Sequence, residues 1–295
     1  MGKKYQWIGI GLVFAILWSS ASTATKVALK EAQPLVVALS RFMLAAALML
    51  FISHVLMKNK MPRAVQWKQL AIYGILNISV YLGLYVVAMK EVTASIGALT
   101  VAASPVFISV LSLILLKKPL SPRMLLALFI CILGFVVVAW PLFFDASVTV
   151  RGLTILIASM LSYSVGTIYF TSRKWDGLHL LTINGWQTFL GGLFLLPLTF
   201  LSFKPQLNQF GAAFWLGTGW LAIAVSIGAV MLWLKLIQQD AVKAGLWLFL
   251  CPIFGIIIAA LLVGDSVSLF TITGVAMVLA GLALSHYDKA DAPME

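Results

Sequence analysis

Long apolar runs separated by short polar punctuation set the pattern of this chain. Runs of about twenty residues fall at about 7–27, 34–57, 68–89, 92–116, 123–141, 151–172, 179–202, 211–235, 241–263 and 267–286. About twenty apolar residues carry a helix across the hydrocarbon core of a bilayer, so each run predicts a transmembrane helix. Breakers stand between them: Gln33-Pro34, Met61-Pro62, Lys118-Pro119, Ser121-Pro122, Lys204-Pro205 and Gly264-Asp265. Pro34 suits a first helical turn, where its missing N–H has no intrahelical acceptor anyway. Backbone polar groups in lipid must be satisfied within the segment, so runs of this length read as helices. The predicted fold class is an all-α integral membrane protein with ten transmembrane helices. The first run has features of a secretory signal, with Lys3-Lys4 before it and Ser20-Ala21-Ser22 near its end. It is read as a membrane helix because the repeat described below needs it.

Composition strengthens that picture. Apolar residues make up 62% of the 295 positions and charged residues 10%, and mean hydropathy is +1.06. A soluble globule carries about a quarter charged residues to solvate its surface. The net charge of +11 does not point to nucleic acid, because the basic residues punctuate gaps between runs instead of clustering with aromatics. Their placement also predicts orientation. With the N-terminus inside, fourteen basic residues fall on inner segments: Lys3, Lys4, Lys58, Lys60, Arg63, Lys68, Lys117, Lys118, Arg123, Arg173, Lys174, Lys235, Lys243 and Lys289. Five fall outside: Lys26, Lys30, Lys90, Arg151 and Lys204. The positive-inside rule then puts both termini in the cytoplasm of a multi-pass protein of the cytoplasmic membrane. Cys131 and Cys251 both lie within apolar runs, without CxxC spacing. Packing is their expected role, and no metal or cofactor is expected.

An internal repeat organises the runs. Ser104-Pro105-Val106-Phe107 in the fourth and Cys251-Pro252-Ile253-Phe254 in the ninth share a small-Pro-branched-Phe pattern at an offset of 147 residues. The same offset pairs Gly134 with Gly281 and Lys118 with Asp265. An offset of 145 pairs Pro34 with His179 and Arg41 with Trp186. The predicted organisation is two five-helix repeats, 1–145 and 146–288, with a short tail at 289–295. Halves with an odd number of helices must be inverted relative to each other, as in alternating-access transporters whose substrate lies at the repeat interface.

Several local features resemble one family. They are Leu17-Trp18-Ser19 in the first helix, Ala38-Leu39-Ser40-Arg41-Phe42 in the second, and Tyr85-Val86-Val87-Ala88-Met89 ending an aromatic third. Pro105 and Pro252 with the glycines that follow complete the set. Nearly the whole chain thereby resembles the drug/metabolite transporter superfamily, specifically proteins with two EamA-type domains. The resemblance implies transport, often export, of amino acids, nucleosides or other metabolites. One departure is Lys117-Lys118, where the family often has an acidic residue after the fourth helix; Asp265 keeps the acid in the second half.

Candidate site residues follow from polar positions within the runs. Tyr73, Asn77, Tyr81 and Tyr85 are spaced four apart on one helix face. Interhelical hydrogen bonding and an aqueous substrate path both explain that stripe. Trp18 and Ser22 share a face of the first helix, Tyr163 lies in the sixth, and Asn184, Trp186 and Gln187 lie in the seventh. Thr100 and its repeat partner Trp247 precede the two prolines. Together they would line an aromatic-walled pocket with a few amide and hydroxyl groups, suited to an amphipathic solute. Pro105 and Pro252 are read as rocking hinges or as packed kinks, each freeing the carbonyl four residues earlier. Arg41 lies about 10 Å along the helix axis from Pro34. It is suited to a substrate carboxylate or phosphate, and snorkelling toward the outer surface is the alternative.

Absences narrow the class. All nine acidic residues lie at helix ends, in loops or in the tail. Buried-carboxylate proton coupling and cation efflux are disfavoured on that ground, with Glu31 and Glu91 at the outer mouth as fallbacks. No HExxH, Ser–His or paired-aspartate motif suggests an enzyme. The expected function is a secondary, non-ATP transporter of a small neutral, zwitterionic or anionic metabolite such as an amino acid, working as monomer or homodimer in the lipid bilayer. A channel-like facilitator is the alternative, followed by a drug efflux pump or an intramembrane enzyme.

Overall fold

The computed structural model describes residues 2–102, 104, 107, 111, 114, 122–140, 148–239, 247–248, 250–264 and 267–290, with the backbone alone at 2–6, 102, 124, 128, 131, 135, 138–139, 237–239, 282 and 285–290. The described residues form helices and connecting turns, with no strand among them. In chain order the helices are α1 (Gly2–Ala28), α2 (Pro34–Leu56), α3 (Ala64–Ala88), α4 (Ala94–Ala102) and α5 (Pro122–Ala139). They continue as α6 (Val150–Ser172), α7 (Leu180–Ser202), α8 (Ala212–Leu236), α9 (Cys251–Leu262) and α10 (Leu269–Ala290). Among the described residues, six helices are long and apolar enough to cross a membrane: α1, α2, α3, α6, α7 and α8. Shorter apolar stretches lie at Leu125–Gly134, Cys251–Leu262 and Leu269–Gly281. Outward faces are strongly apolar, as at Phe200 (82% exposed) and Leu201 (84%), which suits lipid and not water.

Local chemistry explains where the helices start. Pro34 opens α2 after an extended Gln33, as its missing N–H allows. The Thr149 hydroxyl caps α6 by accepting from Gly152 N at 2.9 Å. Capping also crosses between segments: Glu31, just beyond α1, accepts from Phe214 N at 2.8 Å in the first turn of α8. Glu91 bonds the Thr149 hydroxyl and pairs with Arg151 at 3.5 Å. Glu31 and Glu91 are thus held by helix starts and connecting segments.

The helices pack in a regular way. α2 lies along α7, α4 along α9 and α5 along α10. α1 packs on α8 and α9, as α6 packs on α3 and α4. α3 contacts α7 and α2, as α8 contacts α2 and α7. Each of these pairings maps onto itself or another when residues 1–145 and 146–288 exchange places. The helix irregularities follow the same relation. Wide π turns occupy Ile75–Leu82 in α3 and Leu221–Ala229 in α8, which overlap at the 147-residue offset. A third π segment ends α2 at Phe51–Leu56.

Trp247 and Leu248 are helical and Leu250 is a turn, so Pro252 stands just after a break in the helical run. It lies in the first turn of α9, which starts at Cys251 after Leu250. Proline at this position has no N–H to give the Leu248 carbonyl four residues earlier, so the helical run is interrupted beside the carbonyl that the proline frees. The Trp247 carbonyl accepts from Leu250 N at 3.2 Å and from the Cys251 thiol at 3.7 Å. Cys251 is free and buried in an apolar cluster with Phe14 and Leu248. Pro105, Lys117, Lys118 and Asp265, and with them one proposed hinge, lie outside the described residues.

Candidate functional site

The centre of the molecule holds a connected row of buried polar side chains. Asn77 Nδ2 of α3 donates to Gln187 Oε1 of α7 at 3.3 Å. Gln187 Nε2 donates to Asn184 Oδ1 at 3.0 Å, and Asn184 Nδ2 donates to the Ser226 carbonyl of α8 at 2.9 Å. Arg41 Nε of α2 donates to Ser226 Oγ at 2.9 Å. Four helices, two from each half of the chain, are joined by these four bonds.

Backbone geometry makes the row possible. Gly74 and Gly191 let α3 and α7 approach closely: a Cβ on Gly74 would meet the Gln187 carbonyl at 2.5 Å, and one on Gly191 the Gly74 carbonyl at 2.6 Å. The wide turns loosen carbonyls from the regular ladder, and side chains of neighbouring helices satisfy them. Ser162 Oγ of α6 donates to the Leu76 carbonyl at 2.7 Å, as Asn184 does to Ser226. The π turns also preserve the α3 stripe. Four residues overshoot an α turn and undershoot a wider one, so the drift of positions 77, 81 and 85 reverses partway.

Aromatic rings line the other side of Arg41. Arg41 is 4% exposed; its guanidinium lies 5.5 Å from the Phe42 ring centre and interacts electrostatically with Tyr81 and Tyr85. Tyr81 and Tyr163 have ring centres 4.8 Å apart, and Tyr81 and Tyr85 6.3 Å. The Tyr85 hydroxyl reaches the buried Ser22 of α1. Arg41 is the one charged residue buried among the described residues. An arginine at the centre of a membrane helix costs roughly 2.5–3.5 kcal/mol on insertion scales. Snorkelling would carry the guanidinium outward to the interface; instead its Nε meets a hydroxyl midway along α8.

Other candidate residues lie elsewhere. Trp186 points away from Asn184 and Gln187: its indole N–H donates to His54 Nε2 at 3.0 Å, and its ring sits 4.6 Å from Trp67. Trp247 packs 5.3 Å from Trp7 and against Gly11 of α1, with no hydrogen-bond partner for its Nε1 among the described residues. Trp18, half-buried, touches both the central apolar cluster and the one around Phe14. Thr100 donates to its own helix at the Ile96 carbonyl, 2.8 Å away. Tyr73 leaves the stripe for Phe170 (5.2 Å) and Trp175 (6.2 Å). The structure therefore brings together Arg41, Asn77, Tyr81, Tyr85, Tyr163, Asn184, Gln187 and Ser22, and sets Trp186 and Trp247 apart.

Ser226 was not singled out from the sequence. The one available signal is its 147-residue offset from Ser79, another hydroxyl in a π segment, which donates to the Gly191 carbonyl at 2.7 Å. Among the described residues, no group of three or more His, Cys, Asp or Glu could hold a metal ion.

Long apolar helices enclosing one polar seam define a polytopic membrane protein, and comparison with known proteins gives its kind. The EamA-like transporter family matches residues 5–140 and 150–287, and the chain belongs to that family. An uncharacterized transporter of Archaeoglobus fulgidus is 24% identical over 92% of this chain and 93% of its own length. Protein PecM of Dickeya dadantii is 26% identical over 91% of this chain and 88% of its own. The uncharacterized transporter YvbV of Bacillus subtilis is 21% identical over 91% and 88%. A crystal structure of another protein shares the fold, with a TM-score of 0.68 at 18% identity over 98% of this chain and 99% of the other. The chain is thus a multi-pass membrane protein of a transporter family.

Proposed function

We propose that this protein is a secondary carrier that moves a small neutral, zwitterionic or anionic metabolite, such as an amino acid, across the cytoplasmic membrane by alternating access. One observation carries the reading: the Asn77–Gln187–Asn184–Ser226–Arg41 row bridges helices of residues 1–145 and 146–288. A carrier binds its solute where its two halves meet, so rocking of the halves exposes the same groups to either side. Helix pairings that exchange with the halves support ten crossings arranged as two inverted five-helix repeats. The fourteen-to-five distribution of basic residues supports cytoplasmic termini.

The side chains at the centre suit binding and not bond-making. Amides, hydroxyls and a guanidinium surround the tyrosines, without a nucleophile–base pair among them, so the protein is read as a carrier and not an enzyme. Glu31 caps the start of α8 and Glu91 is engaged by Thr149 and Arg151 at the start of α6, which supports uniport or coupling by another route over a buried-carboxylate relay. Export is the direction favoured for this reading.

Reconstituted vesicles containing the full chain, tested with a broad panel of amino acids and other metabolites, decide the matter. Saturable flux that Tyr81→Ala impairs, with the variant still folded in the membrane, is expected. No saturable flux across the panel would sink the carrier reading, and flux at channel rates would favour a channel-like facilitator.

A further inference from the structure

We propose that Arg41 is the anchor for a single carboxylate on the transported solute, with Ser226 as the residue that positions it. The inference rests on the carrier reading and names the charge class of the cargo. Arg41 is buried, and among the described residues no carboxylate lies within ion-pair distance of it. Nε is taken by the Ser226 hydroxyl at 2.9 Å, while among the described residues no acceptor meets the two terminal nitrogens. A buried cation left without a counter-charge is unfavourable unless another group supplies one.

The geometry narrows what that group is. Holding Nε fixes the plane of the guanidinium and leaves its far edge, with two parallel N–H bonds, for a planar oxyanion. One buried positive charge balances one negative charge, so a monoanionic carboxylate leaves the site neutral and a phosphate dianion does not. The rings of Tyr81 and Tyr163, 4.8 Å apart, and of Tyr85 provide apolar surface for the body of the solute. The hydroxyls of Tyr81 and Tyr85 are close enough to interact with the guanidinium and can donate to the same carboxylate. Ser226 in turn is held by Asn184, so the anchor's position depends on both halves of the chain.

The charge state has a transport consequence. With no buried acid among the described residues to bring a proton, movement of a monoanion by uniport carries one negative charge across the bilayer. A cell interior negative relative to the outside then drives the solute outward.

The test uses full-length protein in liposomes and matched pairs: N-acetylphenylalanine, N-acetylleucine and the primary amide of each, with the same acid–amide comparison made on any carried member of the broad panel. Acids are expected to be carried with a KM about tenfold or more below their amides. An imposed potassium diffusion potential should speed their exit from the negative side. Arg41→Gln should weaken apparent affinity for acids about a hundredfold, Arg41→Lys should retain part of it, and Ser226→Ala should raise the acid KM about tenfold. The amide KM should not move in Ser226→Ala, which separates positioning from a general loss of structure. Amides carried as well as acids, a carried solute without a carboxylate, or wild-type acid KM in Arg41→Gln would each overturn the anchor and leave the carrier standing. Absence of saturable flux for these probes and for the broad panel would remove both.

Discussion

Replacing Asn184 with alanine removes the link that joins the amide row to the helix carrying Ser226. Asn184 is buried and its side chain makes two bonds of good length, donating to the Ser226 carbonyl at 2.9 Å and accepting from Gln187 at 3.0 Å. Hydrogen bonds of this kind within membrane proteins are worth about 0.6 kcal/mol on average and up to about 1.7 kcal/mol. The Ser226 carbonyl lies in a π segment, and an orphaned buried acceptor adds to the loss. The expected destabilisation is therefore about 1–3 kcal/mol, read from thermal unfolding of the detergent-solubilised protein. A double-mutant cycle with Gln187→Ala isolates the shared bond, and its coupling should be about 0.6 kcal/mol. Wild-type stability in Asn184→Ala to within about 0.3 kcal/mol, together with no coupling in the cycle, would refute a connected row.

Two further substitutions test the packing and the placement of an outlying residue. Gly191→Ala puts a methyl group 2.6 Å from the Gly74 carbonyl and 2.5 Å from Ile78 Cβ, forcing α3 and α7 apart at a cost of about 1–3 kcal/mol. A lower melting temperature and a weakened Asn77–Gln187 coupling should appear together, and a silent substitution would contradict the close approach. Trp186→Phe keeps the ring contacts with Trp67 and Phe189 but loses the bond to His54. It should cost about 0.5–1.5 kcal/mol of stability and leave the transport KM unchanged, whereas a raised KM would return Trp186 to the binding site.

Much of this architecture is legible in the sequence because lipid imposes strict rules. Each of the ten described helices overlaps one of the apolar runs, with ends that do not coincide, since an unpaired backbone is too costly in hydrocarbon to permit another reading. Arg41, Asn77 and Asn184 stand out for the same reason: a polar side chain in such a run needs a partner or a pathway. What the runs cannot give is azimuth. Trp186 and Gln187 are sequence neighbours but lie about 100° apart around the helix axis, and only the packing of α7 against α2 and α3 decides which faces inward. Ser226 was hidden because a lone serine in an apolar run is an ordinary packing residue. Its importance comes from the wide turn beneath it and from the arginine on another helix, neither of which its neighbours in sequence specify.

Ser79 and Ser226, 147 residues apart, make related helix contacts that end on different groups. Both serines lie in π segments and both meet a helix of the opposite half: Ser79 on α3 meets α7, and Ser226 on α8 meets α2. The contact made by Ser79 ends on a backbone carbonyl, which any residue at position 191 supplies and which carries no net charge. The contact made by Ser226 ends on a guanidinium, which only Arg41 supplies. Exchange of the halves thus preserves the helix pairings but not the charge. That division suits the carrier proposed above. Related packing on the two sides lets the halves rock between states of similar energy, while recognition of a solute needs a polar pattern that exists once. Moving the arginine to the equivalent side of the repeat would keep the packing and misplace the charge relative to Tyr81, Tyr85 and Tyr163. On the proposed carrier reading, the solute is therefore recognised where the two halves differ, at Arg41 and Ser226.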